Sequence, residues 1–246
     1  MRVDRWYVRA SLMAAAVALS LWTGRPVGAA APSPAESLTK LKAGNARFVS
    51  NPDEALPVDA PRRAALAKGQ TPFATVLSCA DSRVPPEIVF HTGLGDLFVV
   101  RAAGNVTDKA ILASVEYAAE HLNVPLVVVM GHESCGAVKA AAETPATKSL
   151  GPNLDYLLKA IRPSVANAAA KPESERMRAA ILGNVEQTLN ELVTGSAILK
   201  RLGQEGRIGF VGAYYELSSG RVFFSEPVSI ASPAVASAVK PGGHNR

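Results

Sequence analysis

Two cysteines occur in the 246 residues. Cys79 directly follows the apolar run 73–78, and Cys135 lies three residues past His132, just beyond a second apolar run, 126–130. Two thiolates and an imidazole are good zinc ligands, and three protein ligands leave a fourth tetrahedral position open, as in catalytic rather than structural sites. His-x-x-Cys spans about one helical turn, which lets His132 and Cys135 face one point. In an exported chain, two cysteines also suit a single disulfide, and spacing alone does not decide between metal and bridge. Of the other histidines, His91 and His121 read as structural or exposed, and His244 falls near the carboxyl end.

The surrounding sequence supplies the elements that would bring these side chains together. Runs 73–79, 96–101 and 126–130 are short, apolar and bounded by turn signals, the pattern of strands buried on both faces. A further strand, 208–216, is predicted to pair with 222–224 across Ser218-Ser219-Gly220 as a carboxyl-terminal hairpin. Between them, Ile111, Leu112, Val115, Ala118, Ala119 and Leu122 recur at helical spacing. Ser33-Pro34-Ala35-Glu36 is a capping box with proline at the first helical position, predicting a helix to about residue 50. A short helix is expected from Pro61 to Gly69, one more after His132, and helical structure over 153–202 broken at Pro163, Pro172 and Gly195. Strands alternating with helices define an α/β domain with a mainly parallel sheet covered on both faces. In such sheets ligands bind outside the carboxyl ends of the strands, where Cys79 and His132–Cys135 fall.

The first 29 residues read as a signal peptide: Arg2, Arg5 and Arg9 lead an apolar run from Leu12 to Trp22, and Val27-Gly28-Ala29 offers a cleavage site. That run is about half the roughly 20 residues of a membrane span. The expectation is therefore a periplasmic or secreted protein with no stable membrane anchor after cleavage, a catalytic domain over 30–228, and a loose tail over 229–246. The charge follows the same division. Of a formal net charge of +5, the leader holds +3 through four Arg and one Asp, leaving +2 without a compact basic cluster. That balance argues against a nucleic-acid partner.

Cys79-Ala80-Asp81-Ser82-Arg83-Val84, taken with Gly131-His132-Glu133-Ser134-Cys135-Gly136-Ala137, closely resembles the β-class carbonic anhydrases. The likeness extends to Gly44-Asn45-Ala46-Arg47-Phe48, Gly95-Asp96-Leu97-Phe98-Val99-Val100-Arg101, Ala103-Gly104-Asn105, Ser114-Val115-Glu116-Tyr117-Ala118 and Val211-Gly212-Ala213-Tyr214, covering roughly 36–227 in family order. The resemblance implies a four-stranded, mostly parallel sheet, an N-terminal helical arm that embraces a partner subunit, and a homodimer or dimer of dimers. It implies Zn2+ held by Cys79, His132 and Cys135, and reversible hydration of carbon dioxide to bicarbonate and a proton by zinc hydroxide. It further assigns Asp81 and Arg83 as an acid–base dyad, with Asp81 the fourth metal ligand in a closed state. Gln70 would hydrogen-bond substrate across the subunit interface. Hydrolysis of CS2 or COS at the same site is the alternative chemistry. Where relatives often read Arg-Asn-Ala-Gly-Asn, this chain has Arg101-Ala102-Ala103-Gly104-Asn105, a change expected to alter loop packing without touching the metal.

Overall fold

The computed structural model describes residues 31–228 and Ile230. The expected signal peptide and most of the expected tail lie outside those residues. Five strands form one sheet in the order β2-β1-β3-β4-β5. Strands β1 (Ala74–Ser78), β2 (Leu97–Arg101), β3 (Leu126–His132) and β4 (Gly209–Tyr215) are parallel, and β5 (Val222–Phe224) returns antiparallel to β4 as the expected hairpin. Every residue of β1 and β3 is buried, as continuous apolar runs require when both faces are covered. Strand alternation divides them. Val76, Val128, Met130, Val211 and Ala213 face one cluster, whereas Leu77, Val127, Val129 and Phe210 face the other.

Helix α1 (Pro34–Ser50) begins at the capping box: the Ser33 hydroxyl accepts from the Glu36 amide and the Glu36 carboxylate accepts from the Ser33 amide. It docks on its own chain at Gly44, where a side chain would strike the Phe90 carbonyl, and at buried Asn45. The Asn45 amide bonds the Val89 and Gly220 carbonyls and the Val222 N–H. Helix α2 (Ala60–Leu66) starts at an Asp59 cap, and α3 (Pro86–Val89) is a single turn after the Cys79 loop, not foreseen from the sequence. Helix α4 (Lys109–Glu120) follows the Asp108 cap.

Two expectations about the helices are corrected. Helix α6 (Pro152–Ala168) runs straight through Pro163. Pro163 removes only the donor to the Lys159 carbonyl, four residues back, and beside that gap Gln187 of the following helix donates its side-chain amide to the Ala160 carbonyl at 2.8 Å. Pro172 starts helix α7 (Glu173–Gly195) rather than merely breaking a helix, and Gly195 does mark its end before α8 (Ala197–Gln204). Finally, β3 continues past Met130 to His132 because β4 pairs with it through Tyr215, and α5 (Gly136–Glu143) starts only after a turn. His132 and Cys135 are therefore joined by a turn and not by a helical repeat.

Candidate metal centre

The register of the sheet places the ligands. Ser78 is level with Arg101 on one side and Met130 on the other, so Cys79 emerges beside the last residues of β3. After His132, the Glu133 amide still donates to the Tyr215 carbonyl at 2.8 Å. Ser134 then takes a left-handed conformation at φ 54°, which few residues other than glycine adopt without cost. That reversal sets Cys135 at the N-cap of α5. The Sγ atoms of Cys79 and Cys135 and a ring nitrogen of His132 all lie within 4.8 Å of one another, and all three residues are buried. Neither cysteine is in a disulfide.

The orientation of His132 bears on what the triad holds. Its Nδ1 lies 2.9 Å from the Glu133 carbonyl, which fixes the proton on Nδ1 and turns the Nε2 lone pair inward. Nε2 is fully buried with no hydrogen-bond partner. An unsatisfied buried imidazole nitrogen is costly, and a metal ion at the triad satisfies it, with the Nδ1 bond as the outer support such ligands ordinarily have. The two thiols lie side by side and shift in opposite directions. The hydrogen bond from Cys135 pulls the Cys79 thiol down, and the same bond, with burial, pushes Cys135 up. A cation bound between the sulfurs would favour the thiolate form of both. The donor set fits zinc.

Asp81 and Arg83 stand at the mouth of the triad. Arg83 grips the Asp81 carboxylate bidentately, Nε to Oδ1 at 2.9 Å and Nη2 to Oδ2 at 2.7 Å. That hydrogen bonding holds the Asp81 carboxyl well below the usual carboxylate range. Asp81 Oδ2 is 3.9 Å from His132 Nε2, yet Asp81 does not belong to the converging ligand group. The arrangement is the open one, with the carboxylate on Arg83 rather than turned onto the metal position. The sixth expected residue, Gln70, is not brought to this triad: it is exposed and precedes β1, whereas Cys79 follows that strand's other end.

Two supports escaped the sequence reading as site residues. Arg101, at the carboxyl end of β2, donates Nε to the Cys79 carbonyl at 3.0 Å and Nη2 to the Asp81 carbonyl. Its signal was positional: a cation at the carboxyl end of the strand adjoining β1 is level with the ligand loop. Glu133 accepts the Leu217 and Ser218 amides, tying the His132 turn to the β4–β5 hairpin. At the departure from the family pattern, Ala102 works through its backbone, donating to Ser78 and accepting from Ala80. A side chain there is not needed for either bond.

Comparisons agree with this geometry. The family model described as carbonic anhydrase matches residues 74–222. The chain is 39% identical over 197 residues to carbonic anhydrase 2 of Mycobacterium tuberculosis, spanning 80% of this chain and 95% of that one. It is also 39% identical over 191 residues to the carbonic anhydrase of Mycolicibacterium smegmatis, covering 77% and 92%. Among solved structures, a Coccomyxa β-carbonic anhydrase in complex with acetazolamide superposes with a TM-score of 0.63 at 26% identity, over 70% of this chain and 80% of that one. Tetrameric β-carbonic anhydrases of Sordaria macrospora give a TM-score of 0.61 at 26% identity, covering 79% and 96%. Fold and site together define a lyase of α/β architecture, and the chain belongs to the carbonic anhydrase family, in its β class.

Proposed function

We propose that this chain reversibly hydrates carbon dioxide to bicarbonate and a proton, using one Zn2+ per subunit held by Cys79, His132 and Cys135. The observation that carries the reading is the buried, unpartnered Nε2 of His132 in a residue whose ligand atom converges with two cysteine sulfurs. Zinc bound there supplies hydroxide near neutral pH, because it lowers the pKa of its water to about 7.

The remaining work falls to the side chains. Asp81, kept ionised by Arg83, would accept a hydrogen bond from the hydroxide that a bound metal would supply and so orient it toward the carbon. Arg83 also restrains Asp81 from swinging onto the metal as a fourth ligand, its closed-state role. Gln70 donates to an oxygen of carbon dioxide or bicarbonate as charge grows there. The β-class resemblance supports a donor role in a second subunit's site, and the tetrameric Sordaria macrospora enzymes support a homodimer or a dimer of dimers. The leader sequence supports export to the periplasm or beyond. Stopped-flow carbon dioxide hydration on metal-analysed protein tests the reading: activity proportional to bound zinc supports it, and zinc-loaded protein without hydration activity contradicts it.

A further inference from the structure

The sulfur of Cys79 accepts a hydrogen bond from the Gly104 amide at 3.3 Å. That amide belongs to the 3-10 turn Ala103–Asn105, where Gly104 is left-handed at φ 62° and packed so closely that a Cβ would come 2.7 Å from Ile161 Cδ1. The turn is gripped from α7. Asn184, 1% exposed, donates Nδ2 to the Gly104 carbonyl at 2.6 Å, and Thr188, 2% exposed, donates Oγ1 to the Asn105 carbonyl at 3.2 Å. Four residues apart on one helix, the two side chains hold consecutive carbonyls of the turn.

We propose that Asn184, assisted by Thr188, is a positioning residue for the metal centre: it fixes the turn so that the Gly104 N–H stays on the Cys79 sulfur. A hydrogen bond to a thiolate draws electron density from it and moderates its donation to a metal, a tuning role for groups behind the ligands. The inference rests on the reading of Cys79 as a metal ligand.

The full-length protein loaded with Co2+ in place of Zn2+ tests it, through the thiolate-to-cobalt charge-transfer absorption and the cobalt content per chain. Asn184→Leu removes the donor, and the band shifts to longer wavelength with cobalt content unchanged. Thr188→Val shifts it in the same sense and less far. Leu192→Ala, a cavity in the same helix away from the turn, lowers Tm and leaves the band in place. Bands that stay put in both Asn184→Leu and Thr188→Val overturn the proposal, as does an equal shift in Leu192→Ala. Should Asn184→Leu not fold, the near-isosteric Thr188→Val decides alone, by a shift or none. A wild type without any charge-transfer band overturns the ligand set itself and this inference with it; an unmoved band in the variants overturns only this inference.

Discussion

The two loops that meet at the triad are held in different ways. After β3, backbone does most of the holding: strand pairing continues to His132, the Glu133 amide adds one more bond to β4, and a left-handed Ser134 turns the chain to Cys135. After β1, side chains do it. Arg101 reaches over from β2 to hold the carbonyls of Cys79 and Asp81, and Arg83 pins the Asp81 carboxylate. The polar groups of the first loop are correspondingly more open, with Arg83 half exposed, whereas His132 is fully buried. One loop is a rigid ligand mount. The other carries a ligand and a carboxylate whose position depends on two arginines, so single substitutions outside the ligands should tell mainly on the β1 side.

Breaking the triad itself should have the largest effect. Cys135→Ala leaves a two-ligand site that does not hold zinc firmly, so zinc and activity are lost together. Metal analysis of the purified variant checks this, and near-normal zinc would remove Cys135 from the ligand set. Asp81→Asn keeps zinc, while carbon dioxide hydration falls by about 100-fold or more, the typical weight of a positioned acid–base group. The amide can donate as well as accept and no longer fixes the hydroxide proton. Loss of metal from this variant would make Asp81 chiefly a ligand.

The next two predictions compare the loops directly. Arg101→Met frees two carbonyls of the β1 loop and lowers zinc affinity or turnover by roughly 10–100-fold, as for other groups behind metal ligands. Glu133→Gln, on the backbone-held side, retains an acceptor for the hairpin amides and changes turnover by less than Arg101→Met. Zinc competition with a chelator and steady-state hydration rank the two, and the opposite order would reverse the comparison.

The smallest effect concerns pH. A carboxyl held below its ordinary pKa stabilises the folded state above about pH 4 and loses that contribution as pH falls through its lowered folded value. Arg83→Met removes the cause of the lowering, so its Tm deficit is present at neutral pH and shrinks on acidification below about pH 4. A deficit that grows on acidification would contradict the assigned partner.

Which of these features could be read from the sequence follows from how local their causes are. The α1 capping box, the hairpin turn at Gly220 and the buried strands depend on neighbours in the chain, and the structure repeats them. The triad was legible because Cys79 and His132 stand at the carboxyl ends of parallel strands and Cys135 follows His132 by one short turn. Pro163 misled because one missing backbone bond is outweighed by the packing of α6 on α5 and α7, which local propensity does not encode. The helical explanation of His132 and Cys135 failed for a related reason: pairing with Tyr215 prolonged β3 beyond its apolar run. Arg101 and Asn184 stayed hidden because each acts on backbone 20 or more residues away, a relation that composition and periodicity do not encode.

The central claim is that Cys79, His132 and Cys135 hold a zinc ion on which carbon dioxide hydration depends. The most direct measurement is stopped-flow hydration on one sample as purified, after removal of metal with a chelator under reducing conditions, and after zinc is restored. One zinc per chain is expected at the start, with loss of activity as the metal is removed and recovery in proportion to the zinc returned. Hydration that persists undiminished in the metal-free protein would contradict it.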